Sequence, residues 1–529
     1  MVLIALVYGV SVRHEFVFDD TSLVVDNELV ELPLSRAHEL LTGTDRGISY
    51  RPLRILSYMV DYRIAGGRDP AVFHASNLVV HGLATLALHA LALLLVGSPG
   101  GAFAAAALFA VHPLGSEAVV YVAGRRDLLC ALFVLLALWC WCRMLLTDRG
   151  ADSASSASRA PGAVLRIVLL GGMIACTILA MAAKEMAVVL PVLALVLAVA
   201  LRHDDRRSGD ATHAWGALGV SVTALLGVGL WLYGGVIVSS LAKAGDGALA
   251  PQPALTLRVL GRYLRLAIWP SDLLADYRRF AFPLPESAVD GGAVVAALAI
   301  VLVAGSGAFL LRRGSIAGAG LLWFVVALLP VAQIVPYGEI VSEHNAYLAL
   351  CGLALAAGRA VTVGSRSRPR LVAATVVALV AALGVRSHLR ALDWKNNLTL
   401  WRATVATAPR SVRGQYNLAI ATLGEGDVIG ARKALEQARE LAPDDRDVLL
   451  TSATLALRLG DFDAAERFAR RAVELGRDGR AYTALGWALV SQGNAPGAIE
   501  SFETAIGLGE NSGDARRGLA RARSRGDSS

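Results

Sequence analysis

Residues 167–201 read IVLLGGMIACTILAMAAKEMAVVLPVLALVLAVAL. Two long apolar runs are parted by a single charged dipeptide, Lys184-Glu185. A helix needs about 20 apolar residues to cross about 30 Å of hydrocarbon. Helices and closed barrels are the spanning structures that leave no backbone polar group facing lipid. The stretch therefore reads as two spanning helices joined by a short polar turn. Outward from it, runs of the same kind fall at 75–96, 102–121, 128–146, 214–238, 290–311, 315–336, 346–363 and 371–389. Hydrophobic residues make up 55% of the 529-residue chain and charged residues 18%, against about 25% charge in soluble domains. An ordinary soluble enzyme, a disordered chain and a disulfide scaffold are excluded. Cys130, Cys140, Cys142, Cys176 and Cys351 all lie in apolar segments with no metal-type spacing, so they read as buried hydrophobes. Met1–Val12 is too short to cross alone and reads as the end of a first span. The expectation is an all-α, polytopic helix bundle of about eleven spans.

The charge balance is +7, but the arginines cluster in short loops at 143–166, 202–207, 312–313 and 366–370. That is the signature of cytoplasmic loops rather than of nucleic-acid binding. Span counting keeps these four loops on one side, and places 13–73, 122–127, 184–185, 239–289 and 337–345 on the other with the C-terminus. Within the outer stretch, LTLRVLGRYLRLAIW at 255–269 sets Leu257, Leu260, Leu264 and Ala267 on one helical stripe and Arg258, Arg262 and Arg265 on another. It reads as an amphipathic helix in the membrane interface, with a buried helix of a soluble insert as the alternative.

From about 390 the texture becomes charged and alanine-rich. Gly426 and Gly460 are 34 residues apart, as are Asp427 and Asp461, Ala431 and Ala465, Ala438 and Ala472, and Leu441 and Leu475. Asn494, Ala498, Ala505 and Leu508 follow as a third copy. A period near 34 with small residues at fixed places looks like three tetratricopeptide repeats, which form an α-solenoid with a concave, peptide-sized groove. The stretch 394–409 resembles a preceding half-repeat. The expected division is a membrane domain over 1–390, a junction over 391–412, repeats over 413–515 and a disordered tail over 516–529.

Polar residues at span ends are costly and often functional. Asp19-Asp20, His112 with Glu117, Arg125-Arg126-Asp127, Lys184-Glu185 and Glu343-His344-Asn345 flank the spans, and all fall on the outer side. Adjacent Asp19 and Asp20 can supply a general base with a neighbour that tunes it; an acidic surface turn is the alternative. His74, Asn77 and His81 share one helix face. Asn77 and His81 read as hydrogen-bonding glue between helices, and His74 as a site candidate. His112 before Pro113 either shapes the helix end or joins the site. Arg51, Arg125, Arg126 and Lys184 suit a lipid-linked phosphate. The competing account makes them ion-pair partners of Asp127, Glu185 or Glu117, and holds for about half of them.

FVFDD at 16–20, RPLRILSYMVDY at 51–62, FHASNLVVHGL at 73–83, LFAVHPLGSEAVVYVAGRRDLL at 108–129 and AMAAKEMAVVLP at 180–191 resemble the transmembrane and tetratricopeptide-repeat O-mannosyltransferases. SEHNAYLAL at 342–350 and SHLRALDWKNNLTLWRATVATAP at 387–409 continue the resemblance in order. It implies a GT-C-type membrane domain that takes a sugar from a polyprenyl-phosphate carrier to a protein hydroxyl with inversion, on the outer or luminal face. By the same resemblance Asp19 and Asp20 are central, Asp19 being the expected base, and Arg125, Lys184 and Glu343 line the donor pocket. Arg51, His74, His112, Glu117, Arg126, Glu185, His344 and Tyr347 complete the expected substrate-binding set. One departure stands out: Glu-Arg is expected before the tyrosine, and this chain has Glu343-His344 ahead of Tyr347. No cofactor or metal is expected, since nothing resembles a dedicated metal cage. The expected partners are the sugar–lipid donor, a protein or peptide acceptor held by the repeats, and membrane lipids, with no nucleic acid. The expected setting is a bacterial inner membrane, with site and repeats on the periplasmic side. A non-enzymatic scaffold for envelope proteins and a lipid-linked glycan polymerase or ligase are the alternatives.

Overall fold

The computed structural model describes residues 1–42, 51–151, 159–202, 212–245, 253–278, 281–282, 284–285, 290–334, 339–510 and 513–526. Arg206 and Arg207, the loop residues 152–158 and parts of 239–289 and 337–345 lie outside that set. The chain forms two compact units, one of residues 1–273 and 284–396, the other of 274–283 and 397–529. All regular secondary structure among the described residues is helical.

The first unit holds α1 (Val2–Tyr8), α2 (Glu39–Thr42), α3 (Pro52–Ala65), α4 (Pro70–Leu95), α5 (Pro99–Ala110), α6 (Ser116–Val120), α7 (Arg125–Ala151) and α8 (Arg159–Ala183). It continues with α9 (Leu190–Arg202), α10 (Thr212–Gly245), α11 (Pro253–Ile268), α12 (Gly291–Arg312), α13 (Ile316–Leu328), α14 (Tyr347–Gly364) and α15 (Pro369–Asp393). Each apolar run expected as a span is met by a helix. Among the described residues six are long and apolar enough to cross a membrane: Pro70–Leu95, Val122–Leu146, Val164–Ala183, Gly291–Arg312, Glu343–Gly364 and Pro369–Asp393. Pro99–Ala110 with Pro113–Val120 makes a seventh if the pair, bent by 54°, is one span. Val2–Arg13, Glu185–Leu201, Trp215–Trp231 and Ile316–Val331 are shorter apolar helices. The chain is thus a multi-pass membrane protein by length and composition. The bend follows from Pro113, which lacks an N–H and forces His112 into an extended conformation.

Starts of several helices are legible in their caps. Asp69 and Ser98 accept from the N–H groups of Ala71 and Gly101, each ahead of a proline at the first helical position. Where α13 crosses α14, Gly320 and Gly352 face each other so closely that a β-carbon on either would meet the other's carbonyl oxygen. The arginine-bearing α11 is amphipathic as expected. It buries Val259, Leu260, Tyr263, Leu264 and Leu266, and packs Gly261 on Ala296 of α12, while Arg258 pairs with Asp290 and Arg265 with Asp272.

The second unit is built of α16 (Asn397–Thr407), α17 (Val412–Gly424), α18 (Val428–Leu441), α19 (Arg446–Leu459), α20 (Phe462–Glu474), α21 (Gly479–Ser491), α22 (Ala495–Gly507) and α23 (Gly513–Gly526). The repeat spacing acquires a physical meaning. Gly426, Gly460 and Gly493 hold positive φ at the turn between paired helices, where glycine is least strained. Next to each, Asp427, Asp461 or Asn494 caps the following helix at 2.8, 3.0 and 3.1 Å. Ala431, Ala438, Ala465, Ala472, Ala498 and Ala505 are buried between helices, which lets the pairs approach closely.

Two boundaries differ from the sequence reading. The tail expected to be disordered from 516 is helical to Gly526, because Ala515 and Ala522 pack with Leu519 against Phe502. The segment 274–283, expected within the membrane domain, groups with the repeats. There buried Asp276 accepts from Ser411 Oγ at 3.3 Å and lies 3.6 Å from Arg413. Burial raises its carboxyl above the usual range while the Arg413 charge opposes.

Candidate active site

The loop 14–20 is pinned at both ends. The Glu15 N–H donates to Lys395 O at 3.0 Å. At the other end the Asp20 carboxylate is fully buried and accepts from the N–H of Val17 at 3.2 Å and of Ala123 at 2.8 Å. Burial pushes the Asp20 carboxyl up to about 7, against the pull of the N–H groups of Val17, Ala123 and Val122, and the neighbouring Asp19 charge adds to the rise. Asp20 is thus a clamp between this loop and the turn ahead of α7. Asp19 differs from it in every respect. It is partly exposed, its N–H donates to Tyr121 Oη at 3.1 Å, and its carboxylate makes no hydrogen bond or ion pair among the described residues. Phe18, just before it, holds φ at +56°, a region that bulky side chains avoid. Backbone strain of this kind clusters at functional sites.

A second set of polar residues is strung into one chain of contacts. Buried Glu117 accepts from the His344 N–H at 3.1 Å and from Nδ1 of the same ring at 2.8 Å. The other ring nitrogen, Nε2, accepts from Arg126 Nη2 at 2.8 Å, which fixes the tautomer. Arg126 Nε lies 3.4 Å from Asp127 Oδ2. Lys184 Nζ, buried, donates to Asp127 Oδ1 at 2.7 Å and to Asn345 Oδ1 at 2.6 Å. The Tyr263 hydroxyl of α11 donates to Ser342 O at 3.0 Å and accepts from the Ser342 N–H at 3.1 Å. Arg51 Nη2 binds both carboxylate oxygens of Glu185 at 2.9 and 3.1 Å. Four stretches far apart in sequence, near 20, 121, 184 and 343, are therefore joined in one polar assembly.

Several expected site residues make their contacts within the fold. Arg125 is saturated: it pairs with Asp61 and donates to Asn77 Oδ1 at 2.7 Å, Phe73 O at 2.6 Å and Ser57 Oγ at 3.3 Å, with Tyr58 under its plane. A buried guanidinium must find partners within its own fold, and these four occupy the donors of Arg125. His74 contacts Glu15 O at 3.4 Å and the His14 ring. His112 caps the turn at Leu114 and donates to Ala267 O at 3.0 Å. Tyr347 donates to His81 Nδ1 at 2.6 Å within an aromatic cluster with Phe109. Asn77 and His81 are the glue they were read to be.

Sequence reasoning missed Arg54, Asp61, Tyr121, Arg390 and Trp394. Buried Arg390 of α15 approaches buried Glu343 at 3.3 Å and lies over the Trp394 ring. Trp394 packs on Tyr121 with centroids 5.1 Å apart. Burial, with Arg126 and Arg51 near, brings the Arg54 guanidinium down to about 10. The available signal was a charge inside the last or first turn of an apolar helix, as in RPLR and HLRALDW.

Comparison with known proteins covers most of the chain. The tetratricopeptide repeat family matches residues 422–487 and again 483–526. Protein O-mannosyl-transferase TMTC4 of Mus musculus is 26% identical over 477 residues, 81% of this chain and 64% of the mouse protein. Protein O-mannosyl-transferase Tmtc3 of Drosophila melanogaster is 24% identical over 515 residues, covering 83% of this chain and 54% of the fly protein. Over a shorter stretch of 155 residues, 27% of this chain and 16% of the relative, identity to TMTC1 of Mus musculus reaches 39%. This chain is a relative of the tetratricopeptide-repeat O-mannosyltransferases. It spans somewhat less than two thirds of the length of the mouse TMTC4 protein. The family resemblance seen in the motifs therefore holds, and the departure at His344 sits where Glu117 and Arg126 grip the ring from both sides.

Proposed function

We propose that the chain is a membrane glycosyltransferase moving a hexosyl group, mannose by the names of its relatives, from a polyprenyl-phosphate carrier to a protein hydroxyl. Asp19 is the base. The acceptor oxygen attacks the anomeric carbon as its proton passes to the Asp19 carboxylate, and the bond from that carbon to the carrier phosphate breaks with one inversion. The phosphate leaves with added negative charge and needs no acid. Lys184, Arg126 and Arg51, fixed in advance by carboxylates and amides, answer that charge without reorganising. The site faces away from the cytosol, as does the repeat unit, whose groove presents the acceptor protein. The observation that carries the reading is the contrast within one dipeptide. The Asp20 carboxylate is buried and bonded through both oxygens, while Asp19 is partly exposed on a strained turn and its carboxylate makes no hydrogen bond or ion pair among the described residues.

The test uses the purified full chain, polyprenyl-phosphate mannose and peptide or protein acceptors. Asp19→Asn is expected to lower transfer by about 100-fold or more with an unchanged melting temperature. Activity within a few-fold of wild type would remove Asp19 as base, and transfer to glycan rather than protein would favour the polymerase or ligase reading. A wild-type chain with no transfer to either acceptor favours the scaffold.

A further inference from the structure

The cations that answer the leaving phosphate are held in different ways. Arg51 Nη2 meets both oxygens of Glu185 at 2.9 and 3.1 Å, so a carboxylate already offsets its charge. Lys184 donates to Asp127 Oδ1 at 2.7 Å and to Asn345 at 2.6 Å. Arg126 instead has an imidazole against it, with His344 Nε2 2.8 Å from its Nη2. Asp127 Oδ2 stands further off, 3.4 Å from Arg126 Nε, and that carboxylate is shared with Lys184.

The neighbours of the His344 ring dictate where its proton lies. A guanidinium has no lone pair to offer, so Nε2 must accept and carries no hydrogen. Nδ1 then bears the single proton of a neutral ring and donates to Glu117 Oε1 at 2.8 Å, while the His344 N–H donates to Oε2 at 3.1 Å. Glu117 and His344 are both buried. Ring orientation and tautomer are therefore set before any ligand arrives. The Glu117 carboxylate stands one ring away from the guanidinium. Direct contact, as between Asp61 and Arg125, would offset the charge. An imidazole in between grips the guanidinium through a neutral lone pair and leaves its positive charge in force, which suits a phosphate ligand.

We propose that His344 is the positioning residue of the donor phosphate site: its neutral ring, locked by Glu117, aims Arg126 at the carrier phosphate without offsetting the charge that binds it. His344 acts through Arg126 and does not touch the lipid. This rests on the glycosyltransferase reading, and it turns an expected ligand of the donor into the holder of one.

The test isolates the phosphate. Affinities of the full chain in lipid nanodiscs are measured for a polyprenyl phosphate and for the uncharged polyprenol of the same length. Their ratio reports the phosphate contact, whereas a general loosening of the fold weakens both lipids alike. His344→Leu, which keeps bulk and removes both ring nitrogens, is expected to weaken polyprenyl phosphate about tenfold and polyprenol less than about twofold. His344→Gln restores the ratio, because its amide donates to Glu117 and accepts from Arg126. Arg126→Leu lowers the ratio at least as far, and adding His344→Leu to it costs nothing more. An unchanged ratio in His344→Leu overturns the proposal, as does an equal loss for both lipids or a glutamine variant as weak as the leucine one. Losses that multiply in the double variant overturn it too, since they put the ring on the lipid itself. Each of these leaves the glycosyltransferase reading standing. A wild-type chain that binds polyprenyl phosphate no better than polyprenol removes the donor site, and both readings with it.

Discussion

The membrane unit and the repeat unit use the same ionic residues to opposite ends. In the first, pairs around the candidate site are buried: Arg125 and Asp61 are 1% and 4% exposed, Lys184 and Asp127 3% and 6%. In the second most lie on the surface, as with Arg470 and Glu466 at 56% and 24% or Arg471 and Asp444 at 47% and 58%. A buried charge without its partner is costly, while a solvated pair contributes little. The repeats owe their order to alanines and turn residues, so their charges are free to meet partners. In the membrane unit the buried charges are part of the architecture, and in the proposed mechanism Lys184, Arg126 and Arg51 serve the chemistry while held by their partners.

The contrast can be broken by substitution. Arg125→Ala, which strands Asp61, is expected to cost the membrane unit about 3–5 kcal/mol, read by denaturant unfolding in detergent; a loss near zero would show that Arg125 is not a strut. Asp20 gives a pH-dependent effect. Its carboxyl is lifted from 3.8 to about 7 in the fold, so the folded state holds the proton more tightly than the unfolded chain. Stability from this group is complete below about 4 and is lost as pH rises through about 7. The melting temperature of wild type should fall across that window, and the slope should be missing in Asp20→Asn. In the repeats, Ala465→Leu, at a fully buried position, should cost about 1–3 kcal/mol by overpacking. Smallest of all, Arg470→Ala should move the melting temperature of the repeats by less than about 2 °C.

Legibility followed the same division. Apolar run lengths and a 34-residue period are local signals, so every expected helix is present and Asp427, Asp461 and Asn494 fall where the repeats place them. The Asp19-Asp20 pair was visible because two carboxylates beside a span are rare. Which cation serves a ligand and which serves the fold was not visible. Arg125 meets Asp61 from 64 residues away and Arg390 reaches Glu343 from 47, and such pairings depend on how helices cross. Arg51 pairs with Glu185 and Lys184 with Asp127, as the ion-pair account expects, and the proposed mechanism uses both cations in those pairings. Arg126 stands 14% exposed between His344 and Asp127.

The contact between Gly320 and Gly352 reaches further than its size suggests. Gly352 follows Asn345 by seven residues, about 10 Å along the helix axis, so the stretch that grips Lys184 and Glu117 is the head of a shaft whose bearing is a pair of hydrogens. One methyl group at either glycine would tilt that shaft and loosen the grip at its far end without touching a single polar atom.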